Sequence, residues 1–286
     1  MPSPIRIYLD TNAVSYCLDP LPGWTPKGLE ELRATLAAKI QSGEIVVIGS
    51  QFHLEEASRM AAEKRPSFIT FFWDTVRWNL LLPTNQLAKL EVEMGRPLSG
   101  NEPYDTVNGY QALKRFSKTD SKLDALAQAI EQTVKTETAD HMSWREEIRR
   151  DFKTQFTGMK PEEVTKAWWK DPEARFSSWL KDYMAVSKSH FGLPDDQTKW
   201  PPTSALQTIR ALMIHYMARA YLNIGLQRKI GDGDRHDGHH YASACYADIL
   251  VTEDKAFRET LNEVPGRKTQ VTQFNDFAQL LGVAPH

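Results

Sequence analysis

The chain has 286 residues, 41% hydrophobic and 10% aromatic, with 35 Lys+Arg against 37 Asp+Glu for a formal net charge of -2. That length and apolar share support a sizeable core in one large domain or two small ones. No window offers the roughly 18 unbroken apolar residues of a membrane helix, and near-neutrality argues against a dedicated duplex-DNA binder, whose affinity rests on basic excess.

The N-terminus, "MPSPIRIYLDTN", lacks the long apolar core of a signal peptide and reaches an acid at once. A soluble, cytoplasmic protein with no membrane partner is therefore expected. The two cysteines, Cys17 and Cys245, each sit in an apolar-patterned segment. Buried free thiols are the expectation, and a thiolate zinc centre is disfavoured.

In chain order, "IRIYL" reads as a short strand ending at Asp10, and "PKGLEELRATLAAKIQSG" as an amphipathic helix closing on Gly43. "EIVVIGS" is a buried-type strand that runs straight into the helix "QFHLEEASRMAAEK", and "WNLLLP" is a third apolar run ending on Pro83. From about Leu87 to Ile230 the pattern is helical. Its clearest helices are "ALKRFSKTDSKLDALAQAIEQTVKTET" and "SALQTIRALMIHYMARAYLNIGLQ", and between them lie Trp144, Trp168, Trp169, Trp179 and Trp200. The far end alternates again: strand "DILVTED", helix "KAFRETLNEV", strand "KTQVT", helix "QFNDFAQLLG". Strands separated by helices imply right-handed crossovers and a parallel sheet. The expected organisation is an α/β core over 1–90 and 231–286, interrupted by a helical insertion over 91–230.

In parallel sheets ligands gather at the C-terminal strand ends. Asp10 and Asp254 each stand at such an end. Asp10 alone is as easily a helix cap, since "DTNA" is a good capping sequence; a second strand-end acid on the same edge favours a carboxylate cluster. Glu55 and Glu56 follow the second strand, where acids also answer a helix dipole. Asp237 is placed at the start of "GHHYASACYA" and faces the same edge. Asp248 precedes its strand and falls away from that edge. Carboxylates converging from distant parts of the chain repel one another unless cations neutralise them, and an all-oxygen site suits Mg²⁺ or Mn²⁺.

"IYLDTNAVSY", "VVIGSQFHLEEAS" and "DGHHYASACYADILVTEDKAF" together resemble the acidic motifs of PIN-domain nucleases, which include the VapC-type toxins and related RNases. The likeness covers roughly the first ninety and last fifty residues. It implies a three-layer α/β/α fold with a central parallel sheet, here with a large helical insertion that the compact members lack. It also implies a metal-dependent endoribonuclease with Asp10, Glu56 (Glu55 as the alternative), Asp237 and Asp254 as metal-holding catalytic acids. Thr11, Asn12 and Thr252 would orient them or contact the scissile phosphate. By the same resemblance the substrate is RNA, the cofactor Mg²⁺ or Mn²⁺, and an antitoxin-like protein partner or a homodimer is expected. A rival is a catalytically silent member acting as a scaffold through the insertion.

Other constellations are weaker. His236, His239 and His240 fall short of a zinc set and read as a polar helix start that touches phosphate. His236–Asp237 with His215 matches HD-type phosphohydrolases, which are all-helical, whereas Asp254 ends a strand. Haloacid-dehalogenase-type phosphatases need an Asp where Asn12 stands. "GDGDRHDG", with Asp232 and Asp234, lacks EF-hand spacing. The tryptophans could stack unpaired bases, but core or protein interface is the favoured reading.

Overall fold

The computed structural model describes residues 3–19, 21–104, 156–186, 192–222, 234–264 and 267–284, with positions 150, 154 and 188. The helix expected over 112–138, Trp144 and Asp232 lie outside these residues, as does the side chain of His236.

Among the described residues four parallel strands form one sheet: β1 (Ile5–Leu9), β2 (Ile45–Ile48), β3 (Ile249–Val251) and β4 (Gln270–Thr272), in the order β2-β1-β3-β4. Ile7 pairs with Val47 on one side and Ile249 on the other. Beyond β2 the run "WNLLLP" adds single bridges and no full strand: Gly49 pairs with Leu80, and Leu81 with Tyr104.

Side chains alternate between the two faces of a strand, and the faces feed separate cores. Ile7, Leu9, Ile45, Val47 and Val251 join one cluster. It is closed by α1 (Thr11–Tyr16), α2 (Pro26–Gln41), α4 (Arg65–Val76) and a C-terminal helix, Phe274–Leu280, through Val14, Leu32, Phe72 and Phe277. Tyr8, Ile48 and Leu250 point the other way. There they meet α5 (Thr84–Met94), α7 (Pro172–Val186), α8 (Gln207–Ala220), α9 (Asp234–Ala244) and α10 (Lys255–Asn262), so the C-terminal helix is α11. Helices thus cover both faces of the sheet.

Local sequence explains where these elements begin. The Thr25 hydroxyl accepts from the Gly28 N–H at 3.1 Å, and Pro26 opens α2. α3 (Gln51–Ser58) starts at Ser50, directly after β2. Part of the segment 91–230 packs directly on the sheet. α5 runs without a break across position 90, and Leu180, Leu206 and Ile209 share a core with Tyr8, Ile48 and Leu250. α7 and α8 thus join the layer over this sheet face. Leu206, Ile209 and Met213 bury apolar area that would otherwise leave this sheet face wet.

Trp168, on α6 (Pro161–Trp168), is fully buried among Phe156, Val164 and Tyr221, with the Arg175 guanidinium 4.8 Å from its ring centroid. Trp169 and Trp179 pack half-buried against it. Trp168 is therefore core and no platform for bases. Among the described residues no helix is long and apolar enough to cross a membrane. Cys17 is a buried free thiol, and Cys245 is a free thiol with slight exposure.

Candidate functional site

The C-terminal edge of the sheet gathers the acids as the strand-end positions require. The Asp10 N–H donates to the Val251 carbonyl at 3.0 Å, which sets the end of β1 beside the end of β3. Asp10 is 4% exposed, and its Oδ1 accepts from the Ala13 N–H at 2.6 Å. The Thr252 hydroxyl bonds the same carboxyl and accepts from the Asp254 N–H at 3.1 Å. Asp254 caps α10 by accepting from the Phe257 N–H at 2.8 Å. Both strand-end acids are therefore helix caps as well as members of the edge.

Asp237 does not begin its helix. α9 starts three residues earlier at Asp234, so Asp237 lies in the early turns, with its carboxyl nearly buried. Burial and the charge of Asp254 push this carboxyl up to about 7, against the pull of Arg219 and His240. Burial likewise holds Asp10 at about 6, with Thr252, Ala13 and His240 opposing and Glu56 adding to the rise. Glu56, not Glu55, is the α3 carboxylate among the main charges acting on Asp10, Asp237 and His240. Asp248 pairs with Arg6 at the opposite end of the sheet, the Arg6 N–H donating to Oδ2 at 2.8 Å.

Thr11 Oγ1 is buried beside Asp10 without a hydrogen-bond partner among the described residues, and Asn12 is exposed. Among the described residues no three His, Cys, Asp or Glu side chains close around a single point. Asp10, Asp254 and Glu56 each turn an oxygen to a protein donor.

The histidines correct the sequence reading. His240 is 4% exposed and is no surface phosphate contact. Its Nε2–H donates to Glu56 Oε2 at 3.0 Å, and its Nδ1 lies 2.6 Å from the Tyr8 hydroxyl. The Tyr8 hydroxyl is 2.8 Å from Ser50 Oγ, and Ser50 Oγ is 3.3 Å from His53 Nδ1. His53 Nε2–H donates to the Leu9 carbonyl at 2.6 Å, which assigns its tautomer. Burial holds His53 down at about 4, so it is neutral. Burial would lower His240 too, but Glu56 outweighs it, and the net shift is upward. His239 stacks on Phe52 at 4.5 Å between centroids.

Tyr8, Ser50, His53 and Arg219 were not among the expected site residues. The available signal was a tyrosine inside a buried-type strand: a buried phenol seeks a partner.

The chain matches no family model, no curated protein and no solved structure.

The donors at this edge are hard oxygens that raise one another's affinity for protons, with an orphaned hydroxyl beside them. Their chemistry fits an oxygen-preferring divalent cation.

Proposed function

We propose that this protein is a metal-dependent phosphodiester hydrolase of PIN-like type, most simply an endoribonuclease. One observation carries the reading. Four acids from β1, α3, α9 and the end of β3 share one sheet edge, and two of them, Asp10 and Asp237, are held protonated to about 6 and 7 by burial and by their neighbours. Burial is the largest cause of both shifts and the neighbouring acids add to it; carboxyls perturbed by burial together with a charged neighbour concentrate at functional sites.

Asp10, Glu56, Asp237 and Asp254 would hold one or two Mg²⁺ or Mn²⁺ ions. Bound there, a divalent ion supplies a water nucleophile at neutral pH and neutralises charge on the leaving oxygen. The chain's own residues set the stage. The Ala13 N–H and the Thr252 hydroxyl fix the Asp10 carboxylate. Thr252 also ties Asp254 in register with it. Arg219 places a positive charge near Asp237 and is anchored by donating to Thr260 Oγ1 at 3.0 Å. By the motif resemblance, Thr11 and Asn12 would orient Asp10 or contact the scissile phosphate. RNA as substrate, and an antitoxin-like partner or a homodimer, belong to the same proposal on the strength of the motif resemblance.

The test compares wild type with an Asp10→Asn/Asp237→Asn protein on mixed RNA and DNA, with Mn²⁺ and with EDTA. Cleavage by wild type that needs Mn²⁺ and is lost in the variant supports the reading. Equal activity in both proteins, or none in wild type, overturns it.

A further inference from the structure

Every ring nitrogen of His240 is engaged: Nε2 with Glu56 at 3.0 Å and Nδ1 with Tyr8 at 2.6 Å. A metal could take either nitrogen only by breaking one of these bonds inside a buried site. His240 is thus placed to hold a ligand rather than to be one. Behind it the contacts continue without a gap through Tyr8 and Ser50 to His53 and the carbonyl of Leu9, the last residue of β1. Tyr8 and His53 are 0% exposed, and Ser50 is 1% exposed.

We propose that His240 is a positioning residue that fixes one oxygen of Glu56, and that Tyr8, anchored by Ser50, fixes His240 in turn. This rests on the metal-site reading above. The physical logic is that of histidine and carboxylate pairs around metals, where an outer partner locks the orientation of a ligand and its loss weakens metal affinity. With Oε2 tied to His240, the carboxylate of Glu56 is held in one orientation beside Asp10 and Asp237, whose titration it perturbs. The chain also accounts for the choice between two adjacent glutamates. Glu56 sits where the His240 imidazole, carried by α9, reaches α3. Glu55 is one helix position, roughly a hundred degrees, away. The His240–Tyr8 bond has a donor in either protonation state, and the Ser50 N–H donates to His53 Nδ1 at 3.2 Å in both. With an imidazolium, Nδ1–H donates to Tyr8, Tyr8 to Ser50 and Ser50 to His53. With a neutral ring, Tyr8 donates to Nδ1 and Ser50 to Tyr8. The orientation of Glu56 therefore holds in either state.

The experiment measures Mn²⁺ binding by calorimetry, melting temperature and cleavage for wild type, Tyr8→Phe, His240→Gln and His240→Asn. The glutamine amide reproduces the Nε2 donor toward Glu56, whereas the asparagine amide reproduces only the Nδ1 side. His240→Asn is expected to weaken Mn²⁺ about tenfold or more, His240→Gln distinctly less, and Tyr8→Phe to fall between wild type and His240→Asn. In a Glu56→Gln background the His240 variants should add nothing. A purely structural role would lower the melting temperature of all three variants without ranking their Mn²⁺ affinities. Wild-type Mn²⁺ binding and cleavage with all variants unchanged overturns the positioning role and leaves the nuclease reading standing. No Mn²⁺ binding and no cleavage by wild type overturns both. Tyr8→Phe removes one oxygen and no volume of note, so it reports even if a His240 variant fails to fold.

Discussion

The Asp10 N–H donates to the Val251 carbonyl at 3.0 Å, and this bond makes two strand ends 241 positions apart into one edge. It puts the Thr252 hydroxyl against the Asp10 carboxyl, with Asp254 next in line. The same acids cap α1 and α10, so position and role are fixed by one geometry.

Asp10→Asn and Asp237→Asn separate the two roles of these side chains. Asparagine keeps the Oδ1 that accepts from the Ala13 N–H, so the α1 cap survives at position 10. It removes a charge that burial disfavours. Each variant is expected to lose cleavage by at least about a hundredfold. Each should keep or raise its melting temperature at pH 8, as read by thermal unfolding in EDTA beside a nuclease assay.

The pH dependence of the metal-free protein follows from the same groups. Asp237 rises from 3.8 in the unfolded chain to about 7 in the native one. Between these values the native state binds more protons than the unfolded state, so stability falls as pH rises through about 7. His240, raised above its ordinary 6.5, acts in the same direction, and so does Glu91, raised from 4.5 to about 7 by burial. His53, lowered from 6.5 to about 4, opposes them, but only below pH 6.5. In EDTA the melting temperature should therefore drop between pH 6.5 and 8, with a smaller drop in Asp237→Asn. Mn²⁺ should raise it more at pH 8 than at pH 6, because ligand binding to the native state stabilises it. A flat profile that Mn²⁺ leaves unmoved counts against a cation at this edge.

Glu91 predicts a structural effect away from that edge. It is 0% exposed on α5 and accepts from the Thr208 N–H with each oxygen at 3.0 Å, from the Thr208 hydroxyl at 3.0 Å and from the Tyr246 hydroxyl at 2.8 Å. Thr208 lies in the first turn of α8, whose N–H groups lack partners within their own helix. Glu91→Ala strands these buried donors and should cost about 3 kcal/mol, measured by urea unfolding. Glu91→Gln retains an acceptor and should cost less.

Gly49, between β2 and Ser50, tests the packing beneath the site. A Cβ there would stand 2.5 Å from Phe72 Cζ and 2.9 Å from Val76 Cγ2. Gly49→Ala should cost about 1–3 kcal/mol through overpacking. Because Ser50 begins the chain to His240, its cleavage should fall further than its stability, which a side-by-side unfolding and activity series checks.

The alternating strands and helices at both ends, the cap at Asp10 and the outlying place of Asp248 were legible from residue order. The reason is that apolar period and capping act over a few residues. The same local signal misplaced the start of α9 by three residues, since Asp234, Arg235 and His236 carry no apolar period to mark a turn of helix. It left open what the helices of 91–230 pack against, because periodicity shows that a helix has an apolar face and not which surface that face meets.

What residue order by itself determined is the α/β alternation and the delivery of acids to strand ends. Tertiary structure alone decided what surrounds them. The contacts that do so span 184 residues from Glu56 to His240 and 232 from Tyr8 to His240. Nothing local records such a pair, because a tyrosine in "IRIYL" and a histidine in "GHHY" each satisfy their own element's pattern without the other. Only when α9 packs across β1 and α3 does desolvation require the phenol, the imidazole and the carboxylate to find one another.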